Sequence, residues 1–290
     1  MPVMQRLTDA ARARQARVVF PEMSDPRVAE ACAVLAGEGL CQPIGLETPQ
    51  DHHVEALVAA RGLKPPIARR MLSRPLYMAA AMVAAGEAEA MVAGADSATK
   101  KVIEAASIVI GLQDGVRTPS SFFLMLMPDG RELVFADCAV NVAPDAAQLA
   151  DIARSSAASA KALLGAARVA MLSFSTGSSG AGPSVDLVRE ACEISGFAGP
   201  VQADAALNPV IGSKKGYEGG AANVLIFPTL DAGNIAYKLV QELGGAQALG
   251  PFLQGFRRPV CDLSRGATVQ DIVSATVVTV ATGAGGFTPS

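Results

Sequence analysis

The run Asp262-Leu-Ser264-Arg265-Gly-Ala-Thr268-Val-Gln-Asp271 gathers hydroxyls, a guanidinium and two carboxylates where an apolar strand gives way to a helix. Such junctions attract anions, because free backbone N–H groups and the positive end of the helix dipole point outward together. Arg265 has the planar fork that grips a phosphate or carboxylate. Ser264 offers a hydrogen bond to an adjacent oxygen, and Asp271 is placed to move a proton. Taken alone, the run reads more readily as a capped helix start, with Thr268 or Ser264 as N-cap and Asp271 in the first turn.

Four further segments put polar groups beside the ends of apolar runs, the edge at which open α/β sheets hold ligands. Ser173-Phe-Ser175-Thr176-Gly-Ser178-Ser179-Gly180 is a loop able to hydrogen-bond a phosphate or an amide, or simply a flexible connection. Gln202-Ala-Asp204-Ala-Ala-Leu-Asn208 offers Asp204 and Asn208 at a strand end, although helix capping explains each singly. The segment from Asn223 ends Phe227-Pro-Thr-Leu-Asp231-Ala-Gly-Asn234, and its polar groups need partners if buried. Gly115-Val-Arg117-Thr-Pro-Ser120-Ser121 places hydroxyls just before an apolar strand.

Histidine is scarce. His52 and His53 are adjacent in the polar stretch Pro49-Gln-Asp-His-His, so they read as a solvated loop and a poor metal pair, and no metal site is expected. The composition argues against a zinc centre and a Ser-His-Asp triad, which leaves acid–base work to carboxylates and charge stabilisation to Arg and Lys. Cys32, Cys41, Cys138, Cys192 and Cys261 are odd in number and show no CxxC spacing. They read as reduced, mostly buried thiols in a cytoplasmic compartment. A net charge of −3 gives no basic field for nucleic acid. No stretch approaches the ~20 apolar residues of a membrane span. The start, Met1-Pro-Val-Met-Gln-Arg-Leu, lacks a signal-peptide core, which argues against export.

The elements that must position these groups follow a βαβ rhythm, with apolar runs alternating with helical patterns over 290 residues, half of them hydrophobic. Strands are expected at 17–21, 41–46, 90–94, 122–127, 133–138, 169–174, 201–206, 223–228 and 259–263. Helices are expected at 25–37, 75–85, 99–110, 146–164, 184–195, 232–243 and 269–281, and a frayed tail from Gly283. Ser24 or Asp25 is the expected N-cap of the first of these helices, with Pro26 at N1. Pro128-Asp-Gly-Arg makes the two central strands an antiparallel hairpin in an otherwise parallel arrangement. The expected fold is α/β, a two-lobed α/β/α sandwich with mixed, mostly parallel sheets. The lobes are expected to be 1–137 plus 264–290 and 138–263, with a cleft between them.

Val18-Val-Phe-Pro-Glu22-Met-Ser-Asp25-Pro-Arg27, Ala203-Asp-Ala-Ala-Leu, Ala222-Asn-Val-Leu-Ile-Phe-Pro, Asp231-Ala-Gly-Asn-Ile-Ala-Tyr-Lys-Leu, Gly250-Pro-Phe-Leu-Gln-Gly and Asp262-Leu-Ser-Arg-Gly follow one another along the chain. In that order they resemble the phosphate acetyl/butyryl transferase family, the phosphotransacetylases, over nearly the entire sequence. The resemblance implies reversible transfer of an acyl group between coenzyme A and phosphate. Its substrates would be acetyl-CoA and phosphate, or acetyl phosphate and coenzyme A, with no resident cofactor. It further implies a fold similar to that of isocitrate and isopropylmalate dehydrogenases, in a homodimer. Ser264, Arg265 and Asp271 fall on the family's catalytic positions, with Asp271 as base for the thiol. Candidate substrate contacts are Ser120, Ser121, Ser175, Thr176, Lys100, Lys101, Asn141, Asp204 and Asn234.

The sequence departs from the pattern at Glu104, where many members carry an arginine; Lys100 or Lys101 would supply the charge without its fork. The serine loop also lacks the lysine expected of the family, which leaves Arg117, Arg257 and Arg258 as candidate contacts for coenzyme A phosphates. Cys138 reads as a buried structural thiol rather than an acyl carrier. Two alternatives stand beside the acetyl reading: a propionyl or butyryl transferase, and a regulatory module that binds coenzyme A or an acyl phosphate without turnover.

Overall fold

The computed structural model describes residues 3–283. The chain opens with α1 (Val3–Arg14), β1 (Arg17–Val19), α2 (Pro26–Gly37), β2 (Gln42–Ile44), α3 (Asp51–Arg61), α4 (Pro65–Leu72), α5 (Pro75–Ala84), β3 (Ala90–Ala93) and α6 (Thr99–Val109). It continues with β4 (Ser120–Leu126), β5 (Glu132–Ala136), α7 (Ala146–Leu164), β6 (Val169–Leu172), α8 (Pro183–Ser195), β7 (Ala198–Val201), α9 (Ala203–Leu207) and α10 (Pro209–Lys214). The last elements are β8 (Val224–Ile226), α11 (Leu230–Gly244), β9 (Gln247–Gln254), β10 (Val260–Asp262) and α12 (Val269–Thr282). Two compact units result: one takes the chain up to Gly115 and again from Gly250, the other takes Val116–Leu249.

In the first unit β2, β1, β3 and β10 lie side by side and parallel, and Phe252 and Leu253 of β9 pair antiparallel with β10. Helix α5 is buried from Leu76 to Val83, as its unbroken Ala/Met/Val sequence requires. Helix α12 is buried from Ile272 to Ala281 and packs on α1 and α2. Arg14 of α1 donates to the carbonyls of Val280 and Gly283 at 3.1 and 2.6 Å, so a cation closes the C-terminus of α12.

In the second unit β5, β8, β6 and β7 are mutually parallel and β4 is antiparallel to β5. Phe123, Phe135, Leu225 and Phe227 build the core on one face, where Phe123 stacks on Tyr237 with centroids 4.1 Å apart. The parallel strands with crossover helices and the antiparallel β4–β5 hairpin match the α/β architecture expected, and β9 adds a second antiparallel pairing. Asp25 caps α2 by accepting the Arg27 N–H at 2.8 Å, with Pro26 at N1.

Several local readings are corrected. The β4–β5 hairpin belongs with the second unit and β10 with the first, because β5 pairs with β8 and β10 with β3. The expected strand 201–206 ends at Val201, and Ala203–Leu207 is helical. Ala-Asp-Ala-Ala-Leu contains helix formers and no β-branched residue, and short apolar runs do not distinguish strand from helix. Helices α1, α3, α4 and α10 and strand β9 were not anticipated. The tail read as frayed lies, beyond Gly283, outside the described residues.

Candidate active site

Because β1, β3 and β10 are parallel, the segments that follow them emerge at one edge of the first unit's sheet. Glu22 follows β1, and its carboxylate accepts the backbone N–H groups of Gly94, Ala95 and Ser97, each at 2.8 Å. It therefore fixes the turn between β3 and α6. Gly94 has φ +109°, and a Cβ there would lie 2.6 Å from both Asp262 Oδ1 and the Leu263 nitrogen, so only glycine fits. Lys100 and Lys101 project, exposed, from the first turn of α6. Glu104 accepts from the Tyr77 hydroxyl at 2.9 Å, so the departure from the family arginine is a carboxylate with a partner of its own.

After β10 come Ser264, Arg265 and Asp271, all exposed. Thr268 is the N-cap of α12, and its hydroxyl accepts the Asp271 N–H at 3.2 Å and donates to Asp271 Oδ2 at 2.7 Å. The Thr268 N–H also donates to Oδ2, at 2.9 Å. The capped-helix reading and the chemical reading thus fall on one carboxylate: Oδ2 is held by the cap, while Oδ1 has no partner among the described residues. The Arg265 guanidinium likewise has none. Ser264 Oγ accepts from the Gly266 N–H at 3.3 Å.

Asp262 is 2% exposed. Its Oδ2 accepts from the Thr99 hydroxyl at 2.6 Å and its Oδ1 is unpartnered. Burial, reinforced by the Glu22 charge, pushes this carboxyl up to about 6 despite the Thr99 bond. A raised folded pKa means that the folded chain holds this proton more tightly than the unfolded chain. The associated stability is full below about pH 4 and is lost as pH rises to about 6. Asp262→Asn should remove that dependence and stabilise the protein at pH 8 by on the order of 1–2 kcal/mol. Urea unfolding at pH 4, 6 and 8 checks this; an Asn variant no more stable than the parent at pH 8 would contradict it.

In the second unit the start of β4 and the ends of β5, β6, β7 and β8 share one edge. Ser120 and Ser121 are fully buried there. Asp137, 2% exposed, accepts from the Ser121 hydroxyl, the Asn141 side chain and the N–H groups of Ala139, Val140 and Asn141. Asn141 Nδ2 also donates to the Pro119 carbonyl at 3.0 Å. Ser175 Oγ accepts from Gly180 N–H at 2.7 Å, and Thr176 Oγ1 accepts from Gln202 N–H at 3.1 Å. Asn234 Nδ2 donates to the Cys138 carbonyl at 3.1 Å. Asp204 stands in α9, not at a strand end, and pairs with Lys215 Nζ at 2.7 Å. These hydroxyls, amides and carboxylates shape the loops with one another.

Lys215 also donates to Gln202 Oε1 at 2.8 Å, so a lysine from the segment before β8 joins the serine-loop network. The Lys214-Lys215-Gly run was the signal for it. Arg117 lies against buried Asp151 and Arg257 against Asp114, at 3.7 and 3.2 Å. Cys138 is fully buried and its thiol is pushed upward by burial, an environment that suppresses the thiolate.

The histidines are not in a solvated loop. They begin α3, where His53 is buried and both Nε2 atoms meet Glu87. Their ligand atoms lie within 4.8 Å of one another, contrary to the expected divergence. His53 Nδ1 accepts the Gln50 N–H at 3.0 Å, which leaves the proton on Nε2, where it donates to Glu87 at 2.8 Å. That tautomer suits a hydrogen-bonded triad rather than ligation through His53 Nε2. No described helix is long and apolar enough to cross a membrane.

The chain is similar to known proteins over most of its length. The profile of the phosphate acetyl/butaryl transferase family covers residues 46–280. A phosphate acetyltransferase from Paracoccus denitrificans is 37% identical, over 96% of this chain and 98% of its own. One from Pseudomonas aeruginosa is 38% identical over 96% of this chain, which spans 44% of that longer protein. A solved phosphotransacetylase from Streptococcus pyogenes superposes with a TM-score of 0.90 at 36% identity, over 96% of this chain and 97% of that one. The chain belongs to the phosphate acetyl/butaryl transferase family.

Proposed function

We propose that the protein transfers an acetyl group reversibly between coenzyme A and inorganic phosphate: acetyl-CoA and phosphate give acetyl phosphate and free coenzyme A. The observation that carries this reading is the intact Ser264-Arg265…Asp271 group in a chain matched by the family over residues 46–280. Relatives of both full and double length bear the name phosphate acetyltransferase.

In the direction of acetyl-CoA synthesis, the free oxygen of Asp271 takes the proton from the coenzyme A thiol, since the thiolate is the reactive form. The thiolate attacks the acetyl carbonyl of acetyl phosphate, the C–S bond forms, and charge develops on the carbonyl oxygen. Arg265 holds the phosphoryl oxygens and offsets that charge, and Ser264 donates to the same oxygens. The bond between the acyl carbon and the bridging oxygen then breaks, and phosphate leaves with that oxygen. Both substrates are bound together, so positioning replaces an encounter in solution and no acyl-enzyme is needed. The buried Cys138 thiol supports that economy of steps.

Coenzyme A is a substrate here, and no resident cofactor is invoked. A homodimer in the cytoplasm completes the reading; five buried, unpaired cysteines suit a reducing compartment. The test is arsenate-dependent loss of acetyl-CoA, with kcat/KM compared across acetyl, propionyl and butyryl thioesters. A preference for acetyl is expected. A preference for a longer chain would reassign the acyl group. Coenzyme A binding without turnover of any of the three would overturn the transferase reading in favour of a regulatory module.

A further inference from the structure

The loop that carries Ser264 and Arg265 is held by a guanidinium that the chemistry above does not use. Arg27, in the first turn of α2, donates from Nη1 to the carbonyl of Arg265 at 2.8 Å and to that of Ala267 at 2.9 Å. Its Nη2 donates to the Ala95 carbonyl at 3.1 Å, in the turn that Glu22 fixes. The remaining donors go to Asp25, from Nε to Oδ1 at 3.1 Å and from Nη2 to Oδ2 at 2.6 Å. A guanidinium has five N–H groups, and here each is matched by a protein oxygen.

An arginine beside an anion-handling loop invites reading as a substrate ligand. The donor count opposes it, because any hydrogen bond to a phosphate would have to displace one of these five. Asp25 is fixed in turn: it caps α2 through the Arg27 N–H, and the guanidinium holds its carboxyl below the usual range. Helix α2, the β3–α6 turn and the loop before α12 are thereby tied to one planar group. Lys has three donors and no fixed plane, so it cannot reproduce the pattern.

We infer that Arg27 is a positioning residue: it sets the main chain at Arg265 and Ala267, and so the direction in which the Arg265 side chain reaches, without touching substrate. This inference rests on the transferase reading above.

The experiment uses the full chain, with kcat and KM measured for acetyl-CoA and phosphate in the parent, Arg27→Lys and Arg27→Ala. Both variants should lose kcat by about 30-fold or more while each KM stays within about 3-fold. Added guanidinium at millimolar concentration should restore part of the kcat of Arg27→Ala. Removing Arg265 in the Arg27→Ala background should cost much less than removing it from the parent, because the two act through one group. A large rise in either KM with kcat retained would make Arg27 a ligand and overturn the inference, as would an unchanged kcat in both variants. If Arg27→Ala does not fold, Arg27→Lys decides by the same split between kcat and KM. A parent without phosphate-dependent acyl transfer would instead sink the transferase reading, which keeps the two failures apart.

Discussion

Asp271→Asn lowers kcat for acetyl transfer by about 10²–10⁴-fold, the range of a lost general base, with little change in either KM. The substitution is informative because of the cap. An asparagine at this position still offers an oxygen to the Thr268 hydroxyl and N–H, which now bond to Asp271 Oδ2. Helix α12 should therefore start as before, and Tm should move little. Asp271→Ala removes the base and the carboxylate half of the capping box, while the Thr268 cap on the residue 271 N–H remains, and should cost up to about 1 kcal/mol of stability on top of the same kinetic loss. If asparagine keeps kcat within about 3-fold of the parent, Asp271 is a capping residue alone and the base lies elsewhere.

The second large effect is at Arg265. Its side chain is exposed and without a partner among the described residues, whereas its main-chain carbonyl is fixed by Arg27. Arg265→Ala should accordingly leave thermal unfolding unchanged and lower kcat/KM by about 10²–10³-fold, the scale of a lost oxyanion partner. Arg265→Lys should recover little, because an ammonium has no fork to hold two oxygens at once. Kinetics in both directions, with unfolding followed by circular dichroism, separates the outcomes. Equal loss of stability and activity would mean that the guanidinium holds the fold rather than the substrate.

Much of this arrangement was legible in the residues. Helix α7 spans the expected 146–164, since its apolar spacing is long and Gly165 ends it. The Asp25-Pro26 start of α2 and the Pro128-Asp-Gly turn between β4 and β5 carry their own chemistry. Strand β9 was hidden and β7 displaced for a common reason: β7 contains Gly199-Pro200 and β9 contains Gly250-Pro251, steps that read as turns. β7 tolerates its proline at the end of the strand order, where one edge goes unpaired.

At the site, Ser264, Arg265 and Asp271 stood out because their types and spacing are local. Glu22, Arg27 and Asp137 did not, because their partners are backbone groups brought close only by folding. A carboxylate that fastens N–H groups or a guanidinium that fastens carbonyls leaves no spacing to read. Adjacent histidines misled in the same way: divergence along an extended chain does not hold in the first turn of a helix, where both reach Glu87.

The most direct test mixes the protein with acetyl-CoA and inorganic phosphate and follows the acyl phosphate by 31P NMR while free thiol is titrated. Acetyl phosphate and free coenzyme A should appear in equal amounts, and neither should form in Arg265→Ala on the same timescale. Thiol release that does not depend on phosphate, or an acyl group left on the protein instead of on phosphate, would contradict the account.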